Sequence, residues 1–159
     1  ILMKIIDNFL KKEDLNKIKN EILNVNFPWY FQSHKVIEGD GQIQFTHTVW
    51  RNGELNSPFR HLVDIFLLKL KAKKIIRAKF NLTWKTDKIL NSQYHVDTPI
   101  KSKTAIFYLN TNNGKTFFKN KKSVKSVENR MVTFNSSIKH MGTTHTDADY
   151  RLVLNINYN

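Results

Sequence analysis

A histidine and an aspartate separated by one residue, His95 and Asp97, have the types and spacing best suited to chemistry. If this segment is extended, both side chains point to the same side, because side chains alternate along a strand with a period of about 2 residues. An imidazole nitrogen and a carboxylate oxygen can then bind one metal ion. A second histidine from a distant strand would complete three ligands on one face and leave other coordination positions open.

The third ligand must come from elsewhere in the chain. A His-x-Asp triplet alone is not specific, because the chain contains six histidines. We favour His140 as the partner, since the competing His145 falls in a predicted turn. His34 and His47 have no partner pattern and are interpreted as structural or exposed, and His61 as a surface or packing residue. Two histidines and one carboxylate with open positions are typical of non-haem Fe(II) sites.

Two segments, at about 12–24 and 58–72, have the pattern of amphipathic helices. Ser57 and Pro58 suit the N-cap and the first turn of the second helix. Apolar residues recur at helical spacing in both segments: Leu15, Ile18 and Ile22 in the first, and Phe59, Leu62, Val63, Phe66, Leu67 and Leu70 in the second. Each helix should therefore bury one face.

Most of the remaining chain has the pattern of strands, with a loop at 31–41. Strands are predicted at about 4–10, 42–50, 75–84, 93–97, 103–110, 115–118, 123–127, 130–135, 137–140 and 150–158. Two helices and many short strands indicate an α+β fold, in which the helices pack on one sheet of a β-sandwich or barrel.

Two of these strands show which face meets the helices. Apolar and polar residues alternate in 77–84 and in 150–158, so the apolar faces should contact the helices. The polar faces then line either solvent or the barrel interior. A buried arginine is costly unless an anion meets it, so Arg151 is either a solvent-facing residue or the partner of a carboxylate.

Length and composition indicate one globular domain spanning residues 1–159, with 40% hydrophobic and 12% aromatic residues. No apolar run approaches the roughly 18–20 residues of a membrane span, so no membrane partner is expected. The absence of cysteine excludes disulfides, zinc-thiolate sites, iron–sulfur clusters and cysteine nucleophiles. A cytoplasmic location is consistent with that absence.

The formal net charge of +13 has two interpretations. A nucleic-acid partner is one. The other, which we favour, is a composition rich in lysine, asparagine and isoleucine, as an AT-rich genome produces. The basic residues are spread widely, with clusters at 69–79 and 119–125, and no RNA-binding or helix-turn-helix signature accompanies them.

Several short motifs follow one another in a specific order. They are Tyr94-His95-Val96-Asp97, Thr104-Ala105-Ile106-Phe107-Tyr108-Leu109-Asn110, Gly114-Lys115-Thr116-Phe117-Phe118, Asn129-Arg130-Met131-Val132-Thr133-Phe134, His140-Met141-Gly142 and Tyr150-Arg151-Leu152-Val153-Leu154-Asn155. The ordered series resembles the 2-oxoglutarate/Fe(II)-dependent oxygenases, and is most similar to their prolyl-4-hydroxylase-like branch and small single-domain phage members. The resemblance implies a double-stranded β-helix (a jelly roll), built from about 75–158, with the N-terminal helices on the outer face of its major sheet.

The resemblance also implies a set of site residues. The metal ligands of the family fall on His95, Asp97 and His140, which would hold Fe(II). The arginine that pairs with the distal carboxylate of the cosubstrate 2-oxoglutarate falls on Arg151. A guanidinium suits this role because it meets a carboxylate with two parallel hydrogen bonds. The tyrosine that assists it falls on Tyr108. Asn81 and Thr116 are further candidates for lining the cosubstrate pocket.

The implied activity is hydroxylation of a C–H bond of a protein, peptide or small molecule, with consumption of O2 and 2-oxoglutarate and release of succinate and CO2. One alternative is the same chemistry on a nucleic-acid base, which the positive charge favours, although no aromatic and basic lid for a flipped base is evident. Another alternative is a catalytically silent jelly-roll binding module. The intact set of ligands argues against the silent module.

Overall fold

The computed structural model describes residues 3–120 and 122–159; Ile1, Leu2 and Lys121, which belong to the predicted domain, lie outside the described residues. Within these described ranges, two helices, α1 (Lys12–Ile22) and α2 (His61–Leu70), accompany eleven strands. The strands are β1 (Lys4–Ile6), β2 (Tyr30–Gln32), β3 (Gln44–Arg51), β4 (Glu54–Leu55), β5 (Ile75–Trp84), β6 (Lys103–Tyr108), β7 (Lys115–Phe118), β8 (Ser123–Lys125), β9 (Arg130–Asn135), β10 (His140–Gly142) and β11 (Tyr150–Tyr158).

The strands form a large and a small antiparallel sheet. The large sheet has the order β1-β9-β6-β11-β5-β3-β2, with β4 paired to β3, and the small sheet has the order β10-β7-β8. Isolated bridges Asn91–Thr143 and His95–His140 attach a further extended segment to β10. The predicted jelly roll is confirmed as the fold class.

The helices pack on one face of the large sheet. Leu152, Leu154 and Ile156 of β11 lie in one buried cluster with apolar residues of α1 and α2. The ring of Phe66 in α2 lies 4.8 Å from that of Phe107 in β6. Complete burial of one such side chain contributes about 1.5–3 kcal/mol, so contact with the helices holds the apolar face of the sheet outward. The alternate, polar residues of the same strands then lie on the inner face.

A second apolar cluster fills part of the space between the two sheets. It joins β6, β9 and β11 of the large sheet to β7 and β8 of the small one, through Ile106, Tyr108, Phe118, Val124, Val132, Phe134 and Val153. The rest of this space is polar and holds the candidate site described below.

The ends of α2 differ from the prediction. The helix begins at His61 with Arg60 as its N-cap, not at Ser57. The Ser57 hydroxyl accepts a hydrogen bond from the Phe59 N–H at 3.2 Å, and its oxygen also lies 2.6 Å from His47 Nε2. Ser57 is therefore held by a buried histidine at a turn that precedes the helix. At the other end, Lys71 adopts a left-handed conformation (φ 53°) that stops α2 before residue 72.

Other boundaries also shift. Helix α1 ends at Ile22, where Leu23 forms its C-cap. The predicted strand 93–97 makes only the isolated bridge at His95, and short strands occur at Tyr30–Gln32 and Glu54–Leu55, where none was predicted. Among the described residues, no helix combines the length and hydropathy that a membrane span requires.

Candidate metal centre

The structure brings His95, Asp97 and His140 together between the two sheets. His95 and His140 face each other across an antiparallel bridge, in which each backbone N–H donates to the other's carbonyl oxygen at 3.0 Å. Asp97 lies two residues beyond His95, and its carboxylate oxygens lie 3.5 Å from His95 Nε2 and 3.8 Å from His140 Nε2. One donor atom from each residue falls within 4.8 Å of the other two.

The imidazole rings are oriented through their Nδ1 atoms. His95 Nδ1 lies 2.9 Å from the Gln93 carbonyl oxygen, and His140 Nδ1 lies 3.4 Å from that of Ile138. A carbonyl can only accept, so each Nδ1 carries a hydrogen, and each Nε2 faces Asp97 as the nitrogen available to a metal. Two imidazole nitrogens and one carboxylate oxygen form a donor set that suits Fe(II). The chemistry of these donors therefore fits the metal expected from the sequence.

Asp97 stays ionised although its side chain is only 3% exposed. Burial raises its pKa, but the hydrogen bond with His95 and the positive charge of Arg77 outweigh burial and hold the pKa far below its usual range. Arg77 Nη2 lies 3.0 Å from one carboxylate oxygen, and Asn157 Nδ2 lies 3.5 Å from the other. A charged carboxylate is the form that binds a metal.

His140 lies in a drier environment than His95. Its ring centroid is 5.1 Å from that of Phe134 and 6.2 Å from that of Phe118. Burial lowers the pKa of His140, more than the Asp97 charge raises it. The low pKa of His140 favours its neutral imidazole, which is the form that binds a metal.

A buried arginine occupies another part of the same space. Arg151 is 8% exposed, and burial lowers its pKa. Its Nε donates to Ser126 Oγ at 3.1 Å, and its Nη2 lies 3.5 Å from Thr116 Oγ1. Its guanidinium carbon also lies 5.7 Å from the centre of the Tyr108 ring. Within the described part of the chain, no carboxylate forms an ion pair with Arg151.

The remaining predicted pocket residues surround this arginine. The Tyr108 hydroxyl donates to Thr116 Oγ1 at 2.8 Å, so Tyr108 lies behind Thr116 and contacts the pocket through it. Asn81 and Thr116 both line the cavity that contains the metal-ligand cluster and Arg151, a space of about 340 Å³. All seven residues predicted from the sequence thus lie in or directly beside one cavity.

Three cationic residues of this cavity were missed: Lys35, Arg77 and Lys79. Burial, together with the nearby charges of Arg151 and Arg77 respectively, lowers the pKa values of Lys35 and Lys79 to about 8. The period of 2 in β5 could have revealed Arg77 and Lys79, because both share a face with Asn81. No comparable signal exists for Lys35, which the loop before β3 carries into the cavity.

The other histidines take no part in the cluster. His47 is buried and structural, since its Nδ1 lies 2.7 Å from the Pro28 carbonyl oxygen. His61 is exposed and lies 2.7 Å from a carboxylate oxygen of Glu21. His145 occupies a loop, as predicted, but its side chain is fully buried and its ring is absent from the metal-ligand cluster.

Comparison with known proteins finds similarity in structure and not in sequence. No protein-family model matches the sequence, and no curated protein matches it. Among solved structures, a 2OG-Fe(II) oxygenase family oxidoreductase from Burkholderia pseudomallei has a TM-score of 0.72 at 16% identity, covering 99% of this chain and 84% of that one. The chain has the fold of this oxygenase.

Two further oxygenase-fold structures are similar. A prolyl-4-hydroxylase from Pseudomonas putida has a TM-score of 0.67 at 14% identity, covering 99% of this chain and 92% of that one. The alpha-ketoglutarate-dependent carbocyclase SnoK from nogalamycin biosynthesis has a TM-score of 0.69 at 13% identity, covering 98% of this chain and 78% of that one. The TM-scores show a shared fold, and the two proteins are named for different activities.

Proposed function

We propose that this chain is an Fe(II)/2-oxoglutarate-dependent oxygenase of the prolyl-4-hydroxylase-like branch, with residues 1–159 as one oxygenase domain. The observation that carries the proposal is the placement of two histidines, a carboxylate and a buried arginine without an acidic partner around one cavity. The oxygenase fold supports it, since the similar structures carry that activity in their names.

His95, Asp97 and His140 would hold Fe(II). The Nε2 atoms of both histidines face the ionised carboxylate, and the metal would bind the neutral imidazoles, displacing any proton that His95 shares with Asp97. When bound, iron with 2-oxoglutarate and O2 supplies the oxidising power to hydroxylate a C–H bond, with release of succinate and CO2. The aromatic rings of Phe118 and Phe134 keep water from the His140 side of the site.

Arg151 would bind the distal carboxylate of 2-oxoglutarate. A buried guanidinium that lacks an anion is costly, and a carboxylate at this position would offset that cost. Thr116 would orient the arginine, Tyr108 would hold Thr116, and Asn81 would line the same end of the cavity. The cosubstrate would thus be fixed by charge at one end and by metal coordination at the other.

The substrate is a protein, a peptide or a small molecule. Oxygenases of this fold include both a prolyl-4-hydroxylase and a carbocyclase, so the fold alone does not choose between them. The charge of +13 favours nucleic acid as a second candidate. A silent binding module remains the alternative of a different class, and the intact donor set argues against it.

Succinate formation tests the proposal. Purified protein is incubated with Fe(II), 2-oxoglutarate, ascorbate and O2, and succinate is quantified by mass spectrometry. We expect iron-dependent succinate in the wild type, none in Asp97→Ala, and wild-type amounts in Asp149→Ala. The Asp149 carboxylate is 91% exposed and is not one of the proposed metal ligands. Equal succinate from Asp97→Ala and the wild type would refute the ligand assignment.

A further inference from the structure

The cavity contains more positively charged side chains than binding of the proposed cosubstrate and metal would use. Its lining includes four cationic side chains, Lys35, Arg77, Lys79 and Arg151, and Asp97 is the only acidic residue among the lining residues that the structure describes. Arg77 pairs with Asp97, and Arg151 would pair with 2-oxoglutarate. Fe(II) and the dianion of 2-oxoglutarate offset each other, so their arrival would leave the excess of positive charge in place.

Lys79 is the cation best placed to meet a second anion near the metal ligands. It lies on the inward face of β5, two residues after Arg77, whose guanidinium contacts Asp97 at 3.0 Å. Across the sheet it pairs with Thr48 on β3 and Asn155 on β11. Neither neighbour is acidic, and no ion pair to Lys79 occurs within the described ranges.

Arg77 adds an unmet donor beside Lys79. Its Nη2 is used by Asp97, whereas its Nε is buried and has no acceptor among the described residues. A buried donor without an acceptor costs about 1–3 kcal/mol. A bound anion beside these two side chains would neutralise Lys79 and add a negative charge next to the Arg77 guanidinium.

Lys79 is too far from Arg151 to serve the same carboxylate through the same contacts. Arg151 pairs with Thr83 across the sheet, and Thr83 lies four residues beyond Lys79 on β5. At about 3.3 Å per residue the two positions are roughly 13 Å apart along the strand. Lys35, whose pKa is affected by the charge of Arg151, belongs to the Arg151 end instead.

We propose that the primary substrate carries a carboxylate or phosphate group, and that Lys79, assisted by Arg77, binds this group beside the metal ligands. This inference rests on the proposed function, because it concerns the substrate of the same site. It names a specificity determinant: an anionic substrate is fixed by Lys79, and its neutral analogue leaves a buried cation unpaired and is rejected.

The test uses anions as probes on the loaded, non-reactive protein. Protein saturated with Zn(II), which does not support the oxidation, and with 2-oxoglutarate is titrated with sulfate or with propionate at constant ionic strength. Sulfate represents a phosphate group and propionate a carboxylate. Backbone amide NMR shifts of β5 and β11 report binding, and the preferred probe indicates which group the substrate carries.

Four proteins are compared: the wild type, Lys79→Met, Lys79→Arg and the control Lys73→Met, which alters an exposed lysine after α2. We expect saturable binding of at least one probe to the wild type, at least about tenfold weaker binding to Lys79→Met, and near wild-type binding to Lys79→Arg and Lys73→Met. Thermal unfolding of each variant establishes that it is folded.

Each contrary result has a distinct meaning. If Zn(II)-dependent 2-oxoglutarate binding is absent, both the proposed function and this inference fail. If 2-oxoglutarate binds and neither probe does, or if Lys79→Met binds the probes as the wild type does, only the inference is refuted. If Lys79→Met loses affinity for 2-oxoglutarate itself, Lys79 belongs to the cosubstrate site, which also refutes a separate anion site.

Discussion

Replacing Arg151 by methionine separates a ligand-binding role from a structural one. Methionine preserves much of the side-chain length and removes the charge. The guanidinium is 8% exposed, donates to Ser126 and approaches Thr116, and has no carboxylate partner among the described residues. A purely structural arginine would stabilise the fold through these contacts, whereas a binding arginine costs stability until its anion arrives.

The expected loss of affinity follows from the burial of this charge. Removing one partner of a buried, hydrogen-bonded charge pair costs about 2–5 kcal/mol. Since about 1.4 kcal/mol corresponds to a factor of ten, Arg151→Met should weaken 2-oxoglutarate binding from about 30-fold to several thousand-fold. The metal affinity should change little, because Arg151 contacts none of the three proposed ligands.

The stability of the unliganded protein should move in the opposite direction. Replacing a buried ion pair by apolar side chains of similar volume is often neutral or stabilising by about 1–4 kcal/mol, and a buried guanidinium without a partner carries the same kind of desolvation cost. The two lost contacts, to Ser126 and Thr116, offset part of that gain at about 1 kcal/mol each. We therefore expect an unliganded Tm equal to or above that of the wild type.

Calorimetric titration with 2-oxoglutarate in the presence of Zn(II), and thermal unfolding with and without ligand, measure both quantities. The wild type should gain stability as 2-oxoglutarate is added, and Arg151→Met should not. Arg60→Met, which alters a largely exposed arginine, is the control. Unchanged 2-oxoglutarate affinity in Arg151→Met would refute the assigned role, as would a large loss of unliganded stability with affinity retained.

Three further perturbations test other parts of the account. Lys35 is mostly protonated below its pKa of about 8 and mostly neutral above it, so the rate of acylation of its amine, followed by mass spectrometry, should have a midpoint near that pH. Bound 2-oxoglutarate should shift this midpoint to higher pH, because an anion favours the charged form of the amine. An unmoved midpoint would place Lys35 away from the cosubstrate. Phe66→Ala should lower the unfolding free energy by about 3–5 kcal/mol in denaturant titration, because Phe66 is fully buried between α2 and the sheet; a loss below about 1 kcal/mol would contradict the packing. If the charge of +13 serves nucleic acid, binding of single-stranded DNA should weaken steeply between about 50 and 200 mM salt, whereas absent or salt-independent binding would make the charge a matter of composition.

Alternation along strands allowed the α+β architecture and the inner and outer faces of the sheet to be predicted from the sequence. Leu152 and Leu154 point to the helices because apolar residues recur at every second position of β11. The same alternation left Arg151 as either a solvent-facing residue or the partner of a carboxylate, and the structure buries it in the cavity. Its proposed role with 2-oxoglutarate came from the family resemblance. The same pattern in β5 placed Asn81 in the cavity, and would have placed Lys79 there too had its charge been weighed.

Features that depend on tertiary contacts were beyond the reach of such patterns. Ser57 has the sequence of an N-cap, yet its contact with His47 draws it into a turn before α2. Lys35 enters the cavity from a loop whose shape depends on the Asp40 carboxylate, which accepts hydrogen bonds from the backbone N–H groups of Lys35, Val36 and Gln42. No periodic signal encodes either contact.

We propose that one cavity holds Fe(II) through His95, Asp97 and His140 and 2-oxoglutarate through Arg151. Anaerobic titration of metal-free protein with Fe(II) and 2-oxoglutarate tests it most directly, by the weak visible charge-transfer band of the chelate. We expect a saturable band in the wild type and in His61→Ala, whose exposed histidine lies outside the cluster, and no band in His140→Ala. A folded wild-type protein without the band, or an undiminished band in His140→Ala, would contradict it.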